Sequence, residues 1–362
     1  MHRLQRRDAR RLAVRAQSLD SERPADFMDV VRRLTMLQLD PAAPIAPSAD
    51  LVLWSRLGSG YSPAELEAAL REHRVVDLRG MLRPAEDIAL YRAEMAQWPG
   101  VGDIRGYLRG QRDWVQANDG CRRDILRRLG EAGPMTSREL PDTCVKPWAS
   151  SGWNNNRNVV MLLGFMAERG EVAVAGREGR DRLWDLAARV YPDTPAVPAE
   201  EALRQRNEKR LRALGIARAR GPQCPVEPAD VGDVGEAAVV EGVAGEWRVD
   251  PAQLGQPFHG RVALLSPFDR LLHERKRMLE LFQFDYALEM FKPVQQRRWG
   301  YYALPILYHD RLVGKLDATF DRKAGVLRVD AVHEDEPFTK TMAAAVDDEI
   351  ADLAHWVQQA PR

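Results

Sequence analysis

The chain has 362 residues, with 53 Lys+Arg against 53 Asp+Glu and a formal net charge of zero. That balance speaks against a dedicated polyanion binder, which usually carries a basic excess. An apolar share of 45% with nine Trp excludes a disordered chain, and the length suffices for two or three domains with a buried core.

The N-terminal stretch MHRLQRRDARRLAVRAQ lacks the apolar core of a signal peptide, and no run of about 18 apolar residues is found, so no membrane span is expected. Residues 3–17 have helical composition. Pro24 opens a second helix over residues 25–39, in which Phe27, Val30, Val31, Leu34 and Leu37 recur at three or four, and Pro41 and Pro44 end it. Residues 50–57 are apolar and open to a helical reading. Ser62-Pro63-Ala64-Glu65 is a helix start, with Ser at N-cap, Pro at N1 and Glu at N3. A short strand is expected over residues 75–78. Residues 112–131 read as a helix stopped by Gly133-Pro134. A short helix over 135–140 follows, capped by Thr136 or Ser137. A polar loop then leads to a helix over 156–169 closed by Gly170. Two alternating runs, 171–176 and 181–186, flank a Gly-containing turn and predict a β-hairpin. Helix, short helix, helix and hairpin in this order predict a winged helix.

Residues 199–257 repeat the theme less cleanly, with a helix to about Leu214 and a hairpin over 239–249. Strands are expected over 262–265, 300–307, 312–321 and 326–332, and a terminal helix over 339–357. The expected fold class is α+β and mainly helical. The expected division is 1–100, 105–195, 196–258 and 259–362, three winged-helix or winged-helix-like units followed by a β-containing domain with a C-terminal helix.

Charge is unevenly spread. Residues 1–18 hold six Arg and one Asp, residues 104–128 seven Arg and three Asp, and residues 199–220 seven basic and three acidic residues. Residues 330–352 hold eight Asp+Glu and one Lys. One basic run alone reads as a solvated helix face. Three of them at the starts of three winged-helix-like units point to a shared nucleic-acid surface.

No Gly-rich phosphate loop, His-Glu-x-x-His or Gly-x-Ser-x-Gly occurs. Cys121, Cys144 and Cys224 are spaced unlike a zinc pattern and are odd in number, so they read as packing thiols in a reduced compartment. His333-Glu334-Asp335-Glu336 reads as a solvated loop. No metal or cofactor is expected.

In Met36-Leu37-Gln38-Leu39-Asp40-Pro41, Gln38 and Asp40 lie two apart around one apolar residue. If the chain turns extended near Pro41, both side chains face one side. A carboxylate beside a carboxamide can hold and polarise a water. By local chemistry alone, a Gln at a helix end and an Asp before a proline turn are the favoured reading of the segment. Downstream, basic and aromatic residues interleave from Leu264 to Asp317, a composition suited to phosphates and sugars. Within it Tyr301, Leu304 and Phe320 are expected in the core, and Arg275, Lys276 and Arg277 on the surface or facing DNA.

Five blocks together resemble the AlkZ/YcaQ-like bacterial DNA glycosylases. They are Gln38-Leu39-Asp40, Leu53-Trp54-Ser55-Arg56-Leu57, Leu265-Ser266-Pro267-Phe268-Asp269, Arg275-Lys276-Arg277 and Gly300-Tyr301-Tyr302-Ala303-Leu304-Pro305. The Gln-x-Asp form is similar to the YcaQ-type branch. The segment 44–50 departs from the family in its prolines and its lack of a basic residue.

The resemblance implies tandem winged helices in a C-shaped DNA-binding architecture. It also implies hydrolysis of the N-glycosidic bond of bulky or crosslinked N7-alkylated purines, without lyase activity. Asp40 would stabilise the sugar cation and act as general base, and Gln38 would position the water. Arg56, Asn154, Asn156, Arg157, Arg177, Arg180, Arg275, Lys276, Arg277 and Arg298 are the residues expected to bind DNA. The partner would be double-stranded DNA carrying alkylated or crosslinked purines, met by a cytoplasmic, nucleoid-associated monomer. The rival readings are a winged-helix transcription regulator without catalysis and a structural repair accessory.

Overall fold

A computed structural model describes residues 1–102, 104–149, 152, 155–179, 181–221 and 227–359. Asn154, Arg180 and Cys224 lie outside the described residues. The chain forms two compact units, Met1–Leu66 with Asn207–Arg362, and Glu67–Arg206. The first therefore draws on both ends of the sequence.

In the first unit, strand His2–Leu4 pairs in parallel with Glu236–Val240, which pairs antiparallel with Trp247–Val249, and that strand with Ile216–Ala217. Helix Arg6–Ala16 packs on this sheet through Ala9, Leu12 and Ala13. A second sheet runs Val262–Leu264, Leu304–Tyr308, Arg311–Asp321 and Val326–Glu334, all antiparallel. The terminal helix, Lys340–Gln359, and three of the four strands match the sequence expectation closely, whereas the strand expected over 300–307 begins only at Leu304. The parallel strand His2–Leu4 was not expected, because its partner lies more than two hundred residues away.

Ser48–Leu57 is helical, and Trp54 stacks on Trp356 of the terminal helix at 5.8 Å between ring centroids. The Trp356 indole N–H donates to the Tyr61 carbonyl at 2.9 Å. The helix expected over 25–39 is shorter. Asp26 caps it by accepting from the Asp29 N–H, and it ends at Leu34 because Thr35 adopts φ 64°. Leu37–Gln38 is then a short strand, so the Gln-x-Asp motif follows a helix instead of ending one.

In the second unit the expected helix over 112–131 is two helices, Gly106–Ala117 and Asp119–Ala132, broken at Asn118. The short helix expected over 135–140 is absent. Met135–Thr136 is a strand, followed by a turn. In its Thr-x-x-Glu pattern Glu139 Oε2 accepts from the Thr136 N–H at 2.7 Å and from the Thr136 hydroxyl at 2.8 Å. Pro141 stops the turn from propagating. Helix Asn158–Glu168 ends before Gly170, which takes φ 68° as expected of a C-cap. Strands Val172–Glu178 and Asp181–Leu186 form the expected hairpin. The sheet of this unit runs Met81–Pro84, Val75–Leu78, Val172–Glu178, Asp181–Leu186 and Met135–Thr136. Its core holds Ile125, Leu129, Leu162, Leu163, Met166 and Trp184.

Candidate active site

Gln38, which ends the strand Leu37–Gln38, and Asp40 just past it are half-buried, and one hydroxyl fixes the backbone of both. Ser48, at the start of the following helix, donates its Oγ–H to the Gln38 carbonyl at 2.7 Å and accepts the Asp40 N–H at 3.2 Å. Asp40 Oδ1 accepts the Ala42 N–H at 2.8 Å, which starts the turn at Pro41. Among the described residues no hydrogen bond reaches the Gln38 carboxamide or Asp40 Oδ2. Those polar atoms are left for a water or a substrate.

The turn is held from the other end of the sequence. The Phe320 N–H donates to the Pro44 carbonyl at 2.9 Å, and the Arg322 guanidinium donates to the Ala43 carbonyl at 2.9 Å. Strand Arg311–Asp321 thus anchors the loop that follows the motif.

Burial raises the Asp40 carboxyl above the ordinary carboxylate range, and the Ala42 hydrogen bond opposes that rise. Tyr302 lies close enough for the Asp40 charge to add to the burial that pushes its phenol up. The Tyr302 ring packs on Phe268 at 6.1 Å, and its hydroxyl lies 3.5 Å from that of Ser266. The block Ser266–Asp269 and the block Gly300–Pro305 therefore meet beside the Gln-x-Asp segment.

Gly300 has φ 107°, and a Cβ there would come within 2.1 Å of the Asp317 carboxyl carbon. The glycine admits this half-buried carboxyl, which burial raises above its ordinary range and the nearby Asp330 raises further. Leu304 is buried as expected, whereas Tyr301 is 40% exposed with Arg297 over its ring at 5.1 Å. Phe320 is half-buried and contributes to the site through its backbone. Asp335, expected in a solvated loop, holds the buried Lys315 ammonium at 2.7 Å.

Two residues expected on DNA are interior. Arg56 is 0% exposed and forms a bidentate pair with Asp269, with Nη2 to Oδ1 at 2.9 Å. It also donates to the Gln17 carbonyl at 3.1 Å and to the Ser55 hydroxyl at 2.8 Å. Arg277 is 1% exposed and donates to the carbonyls of Leu214 and Ile216 at 2.7 and 3.0 Å. Burial pushes its guanidinium down to about 10. Guanidiniums whose donors are spent on internal acceptors are not available to phosphates. The charge of these two arginines serves the interior.

Arg275, Lys276 and Arg298 are exposed in the first unit, and Arg298 leans over Trp299 at 4.5 Å. In the second unit Asn156, Arg157 and Arg177 are exposed. Asn156 takes φ 58° just before helix Asn158–Glu168, and Arg177 on the hairpin reaches the Asp77 carboxylate at 3.8 Å. Ser48 was missed by sequence reasoning. A serine eight residues past the motif carries no signal until the chain between them turns back.

The family model described as DNA glycosylase AlkZ-like matches residues 31–356. The chain belongs to this family. Its structure is also similar to that of the Streptomyces sahachiroi DNA glycosylase AlkZ. The TM-score is 0.67 at 17% identity, over 100% of this chain and 98% of that one. This second likeness concerns the fold. The family match spans the motif, its Ser48 latch, Tyr302 and the anchoring strand. No helix among the described residues is long and apolar enough to cross a membrane.

Proposed function

We propose that this member of the AlkZ-like DNA glycosylases is a monofunctional hydrolase that excises bulky N7-alkylated purines, including those of interstrand crosslinks, from double-stranded DNA. Asp40 carries the reading: it is a half-buried carboxylate on a latched backbone, with one oxygen that accepts no hydrogen bond among the described residues. Alkylation at N7 makes the purine cationic. The bond from C1′ to N9 then breaks with both electrons going to the base, leaving an oxocarbenium-like sugar. The Asp40 carboxylate stabilises that positive charge and takes a proton from the attacking water, while the Gln38 carboxamide orients the water. The new C1′–O bond completes hydrolysis and leaves an abasic site.

The second unit supplies a helix, a short strand, a second helix and a hairpin, and we read these as a winged helix. Asn156, Arg157 and Arg177, with Arg275, Lys276 and Arg298 of the first unit, are the proposed contacts to the DNA backbone. A crosslinked base cannot be flipped into a closed pocket, and the partial exposure of Gln38 and Asp40 suits such a lesion. The protein would act as a monomer in the cytoplasm, on the nucleoid.

The deciding experiment incubates the chain with nitrogen-mustard-crosslinked DNA and cleaves abasic sites with alkali. Wild type should release the crosslink. Asp40→Asn should lower the rate by about 10²–10⁴-fold while binding DNA as before. Full activity in that variant would sink the mechanism.

A further inference from the structure

We propose that Cys121, Asp142 and Cys144 form a binding site for a thiophilic divalent cation of the zinc class, with water as fourth ligand. The three residues come from two separate segments of the second unit. Cys121 lies in the first turn of helix Asp119–Ala132 and is buried. Asp142 and Cys144 lie in the segment between strand Met135–Thr136 and helix Asn158–Glu168. Their two sulfurs and a carboxylate oxygen all lie within 4.8 Å of one another. Tetrahedral zinc, with bonds of about 2.3 Å to sulfur and about 2.0 Å to oxygen, needs ligand atoms about 3.5–4 Å apart. A small inward movement closes that difference.

The donors are held in place by a further layer of hydrogen bonds. Asp142 Oδ1 accepts the Cys144 N–H at 3.1 Å, and Oδ2 accepts from Asn158 Nδ2 at 2.7 Å. Asn158 Oδ1 in turn accepts the Trp148 N–H at 2.7 Å. On the other side of Cys144, Asn118 clamps Lys146, donating to its carbonyl and accepting its N–H, each at 3.0 Å. Each carboxylate oxygen keeps a lone pair for a metal, and such outer partners are what orient ligands in metal sites.

A disulfide would use the sulfurs alone. It would gain nothing from a carboxylate fixed beside them, whose charge opposes the thiolate that disulfide chemistry needs. A dication uses all three groups, and its charge offsets theirs. As it binds, the two thiols lose their protons to solvent and the sulfurs ligate as thiolates. The ion would clip the segment that leads to Asn156, Arg157 and helix Asn158–Glu168. The cysteine spacing, 23 residues, is unlike a zinc motif because the ligands meet through tertiary structure.

The test uses the full-length, reduced and chelator-stripped chain with Cys224→Ser, so that Cys121 and Cys144 are the remaining thiols. Titration with cobalt(II) should give one ion per chain, with a near-ultraviolet thiolate-to-cobalt band of two-sulfur intensity that zinc abolishes. Asp142→Asn should weaken cobalt binding by about tenfold or more, and Cys144→Ser should remove most of the band. Both positions are more exposed than Cys121, and circular dichroism checks that each variant folds. Three results would overturn the proposal. The first is a folded, reduced chain that gives no thiolate band. The second is cobalt uptake unchanged in Cys144→Ser, meaning an adventitious ion only. The third is a chain that isolates with Cys121 bonded to Cys144 and takes up no cobalt after reduction.

Discussion

Asp40 is half-buried, and on the proposed mechanism that position sets the pH range of the chemistry. Burial raises its carboxyl above the ordinary range. A general base must be ionised, so the rate of excision should fall as pH drops through the raised value. The acid limb of the rate profile should therefore lie above the point expected of a free carboxylate, about 4. A profile flat down to that point would mean that Asp40 is not the base. The spacing of two allowed Gln38 and Asp40 to be read as facing one side of an extended chain, but naming them a site rested on the family resemblance and not on local chemistry. The setting of the pair was not legible. Thr35 ends the preceding helix in a left-handed conformation that a β-branched residue seldom adopts, and only tertiary packing imposes it.

The helix Ser48–Leu57 joins the site to the interior. Its first residue latches Gln38 and Asp40, and its ninth, Arg56, is paired with Asp269. Ser48→Ala removes a donor and an acceptor at once and should cost about 1–3 kcal/mol locally. The expected readout is a lower single-turnover excision rate with little change in DNA affinity. An equal loss of both would mean that the hydroxyl is merely structural. Arg56→Met leaves the Asp269 carboxylate buried without its partner and should destabilise the fold by about 3–5 kcal/mol. Adding Asp269→Asn should recover part of that loss in denaturant melts. The element boundaries show why prediction stopped where it did. Helices with local caps, such as the one begun by Ser62-Pro63, were legible. The Arg56 to Asp269 contact spans most of the chain, and an arginine in a sequence looks the same whether it meets a phosphate or a buried carboxylate.

For the whole molecule, zero net charge and a DNA partner are compatible because the charges are segregated, with acid concentrated in residues 330–352. Binding should be salt-sensitive despite the neutral total. Each phosphate contact should contribute about 0.9 to the slope of log affinity against log salt. Losing Arg275 or Lys276 to Ala should each lower that slope by about one if the residue meets a phosphate. An unchanged slope for both would place the DNA elsewhere.

The loop that follows Asp40 is hydrogen-bonded to Phe320 and Arg322. During synthesis Asp40 therefore emerges long before the strand that fixes its surroundings. Between those moments the nascent chain has the motif but not the geometry. On the proposed role of Asp40, excision would begin only once strand Arg311–Asp321 has folded against that loop.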